Sequence, residues 1–207
     1  MARPTREAMT ALKRLVRYLL HAPRVAWLFK RQKWSGIIDG ISDTDFAGCL
    51  STRRSTTGMV IRHGQHTIRT SSTTQTVVAL SSAEAEFYGA VKTGSNLVGA
   101  KSMAQDLGLE MTLRLWLDSS AALGVASRRG VGRIRHLHTA ALWLQGCVSD
   151  RILQIKKVKG AGNIADLLTK HLASPRMKQL LGMMHLTMDP AKSVEQLRSV
   201  VAPTRSA

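Results

Sequence analysis

The chain has 207 residues, 44% of them hydrophobic, which suits one ordinary domain with extensions and is enough to build a core. Thirty Lys and Arg against thirteen Asp and Glu give a formal charge of +17, which points to nucleic acid as partner ahead of an anionic membrane surface. With no apolar run near the roughly 18 residues of a membrane span, no signal-peptide pattern and only Cys49 and Cys147, the composition speaks against a membrane protein or a disulfide scaffold. A reduced intracellular compartment fits instead.

In chain order, residues 8–20 place Leu12, Leu15, Val16, Leu19 and Leu20 on one face, with Lys13, Arg14 and Arg17 elsewhere: a basic amphipathic helix that ends before Pro23 and needs something to pack against. Residues 36–46 read as a strand, and 58–70, with Gly58 and the His63-Gly64-Gln65 turn, as a hairpin of two more, so three antiparallel strands follow one another. From Ser81 to about Leu107 the period lengthens to that of a helix, with Phe87, Ala90, Val91, Leu97, Val98, Ala104 and Leu107 on its face and Gly108 as its stop. Leu113, Leu115 and Leu117 alternate with Arg114, Trp116 and Asp118 in a fourth strand, and a short helix runs from Ser119 to about Ser127. The segment Arg128 to Arg135 is too rich in glycine for a helix and too basic for a core, hence an exposed cationic loop. A helix over 137–149, a strand over 151–158 and a helix over 163–172 opened by Asn163 complete the pattern. The polar end after about Leu186 reads as partly disordered. This order describes an α/β fold, a mixed sheet with helices packed on it.

Acidic residues are scarce, yet four compact blocks keep them at element ends. A polyanion-binding protein sheds carboxylates from its binding face unless divalent cations neutralise them. Asp43 and Asp45, two apart on a strand, point to one face or else sit at a strand end. Ser81 followed three residues later by Glu84 is a capping box, which makes Glu84 structural and leaves Glu86 free to reach a metal. Asp118 reads either as the outward end of the fourth strand or as the cap of the next helix. Asp166 lies in a first helical turn, where the macrodipole favours any anion.

Taken together the blocks Ser42 to Gly48, Arg54-Ser55-Thr56-Thr57-Gly58, Ala79 to Phe87, Leu117-Asp118 and Ala165 to Lys170 resemble, in order and wording, the ribonuclease H domain of copia-type retrotransposon polyproteins. The resemblance covers roughly residues 34–175, and Leu12 to Leu19 resemble the last helix of the reverse transcriptase region that precedes this domain. No Asp-Asp polymerase signature is present. The resemblance implies a ribonuclease H-like fold, a five-stranded mixed sheet with strands one to three antiparallel. It divides the chain into 1–31 (the preceding helix), 32–175 (the domain) and 176–207 (an extension). It implies Asp43, Glu86, Asp118 and Asp166 as catalytic carboxylates holding two Mg²⁺ ions, or Mn²⁺ in their place: Asp43 bridging, Glu86 and Asp118 on one ion, Asp166 on the other. Phe46, His138 and His171 stand where the family usually has Trp, Asp and Pro.

The expected activity is hydrolysis of the RNA strand of an RNA/DNA hybrid. In related ribonucleases H a basic segment follows this part of the fold, which implies that Arg128, Arg129, Arg133 and Arg135 grip the hybrid through phosphates. His136 follows them, either to touch phosphate or to begin a helix. The expected partners are the hybrid and the reverse transcriptase and integrase parts of the same polyprotein, with neither membrane nor small-molecule substrate, in a cytoplasmic particle or the nucleus. Two rival readings share the fold: a binding remnant without turnover, and a DNA-strand-transfer enzyme, against which Asp166 in place of a terminal Glu speaks. His63 and His66 decorate the hairpin turn, because zinc wants paired Cys and His and the cysteines are lone.

Overall fold

The structure is a computed structural model that describes residues 5–22, 24–128 and 138–188, without the side chains of 138–141. It divides into two compact units, one from the residues before Arg31 and after Met184, the other Arg31–Met184. In the first, α1 (Arg6–His21) starts at Thr5, whose hydroxyl accepts from the Ala8 N–H. None of its residues is buried, and Leu12, Leu15, Val16, Leu19 and Leu20 are all exposed. A two-residue strand, Ala26–Trp27, pairs antiparallel with Leu186–Thr187 in the same unit. Among the described residues no helix is long and apolar enough to cross a membrane.

The second unit is built on a sheet of β1 (Ile37–Asp45), β2 (Thr56–His63), β3 (His66–Thr74), β4 (Thr112–Leu117) and β5 (Leu153–Lys157). Its spatial order is β3-β2-β1-β4-β5. β1, β2 and β3 pair antiparallel, whereas β4 runs parallel to β1, and β5 to β4. This is the ribonuclease H-like α/β fold expected from the sequence. The hairpin turns at Gly64, whose φ of +57° is cheap only for glycine. Beside it the Gln32 amide reaches Nδ1 of both His63 (3.4 Å) and His66 (3.1 Å), and its carbonyl accepts from the Gln65 N–H, so these histidines brace the turn.

The long helix α2 (Ser82–Asp106) packs across β1, and α3 (Ser120–Ser127) and α4 (His138–Ser149) pack beside it. Phe87, Ala90 and Leu97 of α2 are fully buried with Met59, Leu113, Leu115, Leu117, Leu144 and Leu153. Leu107, which the periodicity puts on the core face, is 76% exposed: it is the C-cap residue, where the chain has left the helical path ahead of Gly108 at φ +73°. Beyond β5 the expected helix over 163–172 is shorter and tighter, a 3-10 turn at Ile164–Leu168 capped by Asn163, whose carbonyl accepts from the Ala165 N–H. An additional helix, α5 (Ser174–Met183), packs on that turn with Leu180 fully buried and carries the unit past residue 175.

Gly58 of β2 lets the 3-10 turn come close. A Cβ there would lie 2.9 Å from the Ala165 carbonyl oxygen and 2.8 Å from the Thr169 methyl, and backbone cannot give way cheaply. Gly58→Ala is therefore expected to cost roughly 1–3 kcal/mol, about 2–12 °C in Tm for a domain of this size. Gly99→Ala, at a helical position with nothing within 4 Å, should be neutral or slightly stabilising. Thermal melts of the two variants check this, and an unchanged Tm for Gly58→Ala would contradict the close packing.

Candidate active site

The parallel pairing of β1 and β4 sets the site. Their register runs to Ile41 opposite Trp116, so two residues further on Asp43, near the carboxyl end of β1, and Asp118, one residue past β4, come side by side. Ligands of open α/β sheets sit at such carboxyl ends of strands. Leu113, Leu115 and Leu117 are buried and turn the intervening side chains the other way. Asp118 is not the cap of α3, since the Ser119 hydroxyl accepts from the Ala122 N–H and does that work.

The second turn of α2 supplies the third acid, Glu86, just beyond the capped first turn. The Ser81 hydroxyl accepts from the Glu84 N–H, and Glu84 Oε2 accepts from the Leu80 N–H at 2.9 Å, one residue before the N-cap. Glu84 is thus buried in the helix start, and Glu86 faces the strands. Oxygens of Asp43, Glu86 and Asp118 all lie within 4.8 Å of one another, the one such His, Cys, Asp or Glu cluster among the described residues. Asp45 stays outside it.

This arrangement is electrostatically strained. Burial, followed by the charges of Asp43 and Asp118, pushes the Glu86 carboxyl up to about 8 against a hydrogen bond from the Thr44 backbone and the charge of Lys170. Burial likewise raises Asp43, opposed by hydrogen bonds from Thr169 and Lys170 and by the Lys170 charge. Three crowded oxygen ligands of this kind match what a hard divalent cation requires, and such an ion would offset both the burial and the mutual repulsion that raise Glu86.

Asp166 is placed differently. It is buried, but its oxygens face cations, Lys170 Nζ at 2.5 Å from Oδ1 and Arg176 Nη2 at 3.4 Å from Oδ2. Lys170 also reaches Asp43 Oδ1 at 3.1 Å, and the Thr169 hydroxyl donates to Asp43 Oδ2. Burial pulls the Lys170 ammonium down, yet the hydrogen bond and charge of Asp166 and those of Asp43 outweigh it and leave Lys170 above its ordinary value. The Asn163 amide donates to Asp43 Oδ1 and Asp118 Oδ2, both at 3.3 Å, and ties the two strand ends together.

Sequence reasoning singled out four acids, of which the structure brings Asp43, Glu86 and Asp118 together, and it missed these partners. Asn163 entered only as a helix opener and Lys170 only as a letter of a motif. Arg176 lies ten residues from its acid and has no local signal. Of the predicted phosphate contacts, Arg128 is the C-cap of α3, whereas Arg129, Arg133, Arg135 and His136 lie outside the described residues.

Known proteins agree with this reading of the chain. It is 30% identical over 185 residues to the retrovirus-related Pol polyprotein from transposon TNT 1-94 of Nicotiana tabacum, a match over 87% of the chain and 14% of the polyprotein. Against the Pol polyprotein from transposon RE1 of Arabidopsis thaliana it is 28% identical over 193 residues, 92% of the chain and 13% of that protein. The chain therefore spans about a seventh of the curated relatives it matches. Among solved structures, LC11-RNase H1, isolated from compost, superposes with a TM-score of 0.49 at 18% identity, over 71% of this chain and 99% of that one. No protein-family model matches. The order of the acidic blocks, the sheet that carries them and the polyprotein relatives assign this chain to the retrotransposon Pol polyproteins, as a ribonuclease H domain.

Proposed function

We propose that the chain hydrolyses the RNA strand of RNA/DNA hybrids with the help of divalent cations, as part of a copia-type Pol polyprotein. The observation that carries this reading is the meeting of Asp43, Glu86 and Asp118 within 4.8 Å at the ends of two parallel strands and one helix. These three would hold Mg²⁺, with Mn²⁺ as a substitute, and Asp166 is the fourth acid of the proposed set. When bound, such an ion supplies a water of lowered pKa and charge compensation for the departing oxygen. Asn163 orients two of the acids, and Arg128, Arg129, Arg133, Arg135 and His136 are the proposed phosphate contacts. Partners would be the reverse transcriptase and integrase parts of the same polyprotein, and the setting a cytoplasmic particle or the nucleus.

Substrate choice tests the reading. The 2′-hydroxyl is the group by which a protein distinguishes RNA from DNA. The chain should cut the RNA strand of a hybrid in Mg²⁺, stop when the metal is chelated, and spare a DNA duplex of the same sequence. Equal cutting of both duplexes would mean a general nuclease. Hybrid binding without cleavage in Mg²⁺ or Mn²⁺ would mean a binding remnant.

A further inference from the structure

The four acids divide into two groups with different countercharges. Asp43, Glu86 and Asp118 crowd together, and among the described residues Asp43 is the one of the three that forms an ion pair, with Lys170, whose charge reaches Glu86 only as a minor influence. Asp166 is already compensated, with Lys170 on one oxygen and Arg176 on the other. The Lys170 ammonium lies between Asp43 Oδ1 and Asp166 Oδ1, the two acids that a second metal ion would have to join. The neighbouring Thr169 hydroxyl occupies the other oxygen of Asp43. Lys170 and Asp166 are four residues apart around a helical turn, so the chain itself delivers this cation to its place.

We propose that Lys170 is a tethered stand-in for the second metal ion, so that without nucleic acid the protein binds one divalent cation, at Asp43, Glu86 and Asp118. This rests on the metal-site reading above and revises it in one respect: Asp166 binds Lys170 rather than metal in the free protein. A divalent ion entering between Asp43 and Asp166 would have to expel the ammonium and would still face the Arg176 guanidinium. At the triad Lys170 contacts Asp43 Oδ1 alone, the converging oxygens of Glu86 and Asp118 carry no ion pair with it, and Asp43 Oδ2 accepts only from the Thr169 hydroxyl and keeps a lone pair for a cation.

The test is the stoichiometry of Mn²⁺ binding to the full chain in the absence of nucleic acid, followed by isothermal titration and by the spin resonance of the free ion. The wild type should bind one ion and Lys170→Arg, which keeps the charge, also one. Lys170→Met should bind a second, weaker ion. Two ions in the wild type, or one in a folded Lys170→Met protein, would overturn the proposal. Asp166→Asn provides a check that needs no removal of the lysine. If Asp166 is not a ligand, the affinity for the single ion should change by less than about threefold, whereas loss of a ligand should cost at least the 10- to 100-fold seen for outer-shell partners. A tenfold loss would overturn the proposal as well. A wild type that binds no ion at all would overturn the metal-site reading itself and the role of Lys170 with it.

Discussion

Asp118→Asn is expected to abolish hybrid hydrolysis, by more than about 100-fold, since even outer-shell partners of a metal site are worth 10- to 100-fold. The substitution is nearly isosteric. Asn can still offer its carbonyl to the Asn163 amide, the contact that Asp118 Oδ2 makes now at 3.3 Å, so the end of β4 keeps its place. What is lost is an anionic oxygen from a cluster of three, the feature a hard cation selects for. Hybrid binding at moderate salt should survive, because the chain carries +17 before the change and every cationic side chain is untouched. Stability of the metal-free protein should rise rather than fall, since the Asp118 charge is one of the causes that raise Glu86. Cleavage, hybrid binding and a thermal melt on the same preparation check the three outcomes. Retained cleavage in a folded variant would remove Asp118 from the active site.

How far the site was legible depended on whether each residue acts through its own element or through a distant one. Asp118 could be read because its strand alternates, burying Leu113, Leu115 and Leu117 and leaving the acid on the other face. Glu86 could be separated from Glu84 because a capping box is a local device with fixed spacing. The parallel neighbourhood of β1 and β4, which makes one site of Asp43 and Asp118, is not local: 75 residues separate the acids, and the motif order carried that inference. The countercharges of Asp166 were invisible for the same reason. A helix period names Lys170 as a neighbour of Asp166, but nothing in a sequence tells that the same ammonium also reaches Asp43 across the sheet. The 3-10 turn at Ile164–Leu168 packs closely on Gly58, a contact between residues more than a hundred positions apart that no local signal announces.

Stability of the metal-free protein should fall as pH rises from about 4.5 to about 8, and divalent cations should cancel the fall. In the unfolded chain the Glu86 carboxyl titrates near its ordinary 4.5, whereas in the fold burial and the charges of Asp43 and Asp118 hold its proton up to about 8. Between those values the folded state binds more protons than the unfolded state, so each step up in pH favours unfolding. Below the window both states are protonated and the contribution is fully present; above it the contribution is gone. Asp43, raised by burial, acts in the same direction, and Lys170, raised above an ordinary value of 10.5, loses its contribution only beyond the window. Each unit of separation is worth about 1.4 kcal/mol, so the loss is on the order of a few kcal/mol. A loss of about 3 kcal/mol lowers Tm by roughly 6–12 °C in a domain of this size. A cation at the three acids replaces the proton as their countercharge, and at 100 times its Kd it adds about 2.7 kcal/mol to the folded state. The Tm difference with and without Mg²⁺ should therefore widen steadily from pH 5 to pH 8. Glu86→Gln removes the titrating group while keeping its size, so its metal-free Tm should be flatter across the window and exceed the wild type at pH 8. A wild-type Tm that does not move between pH 5 and 8 without metal, or a Gln variant that falls as steeply, would show that Glu86 does not share a desolvated site with Asp43 and Asp118.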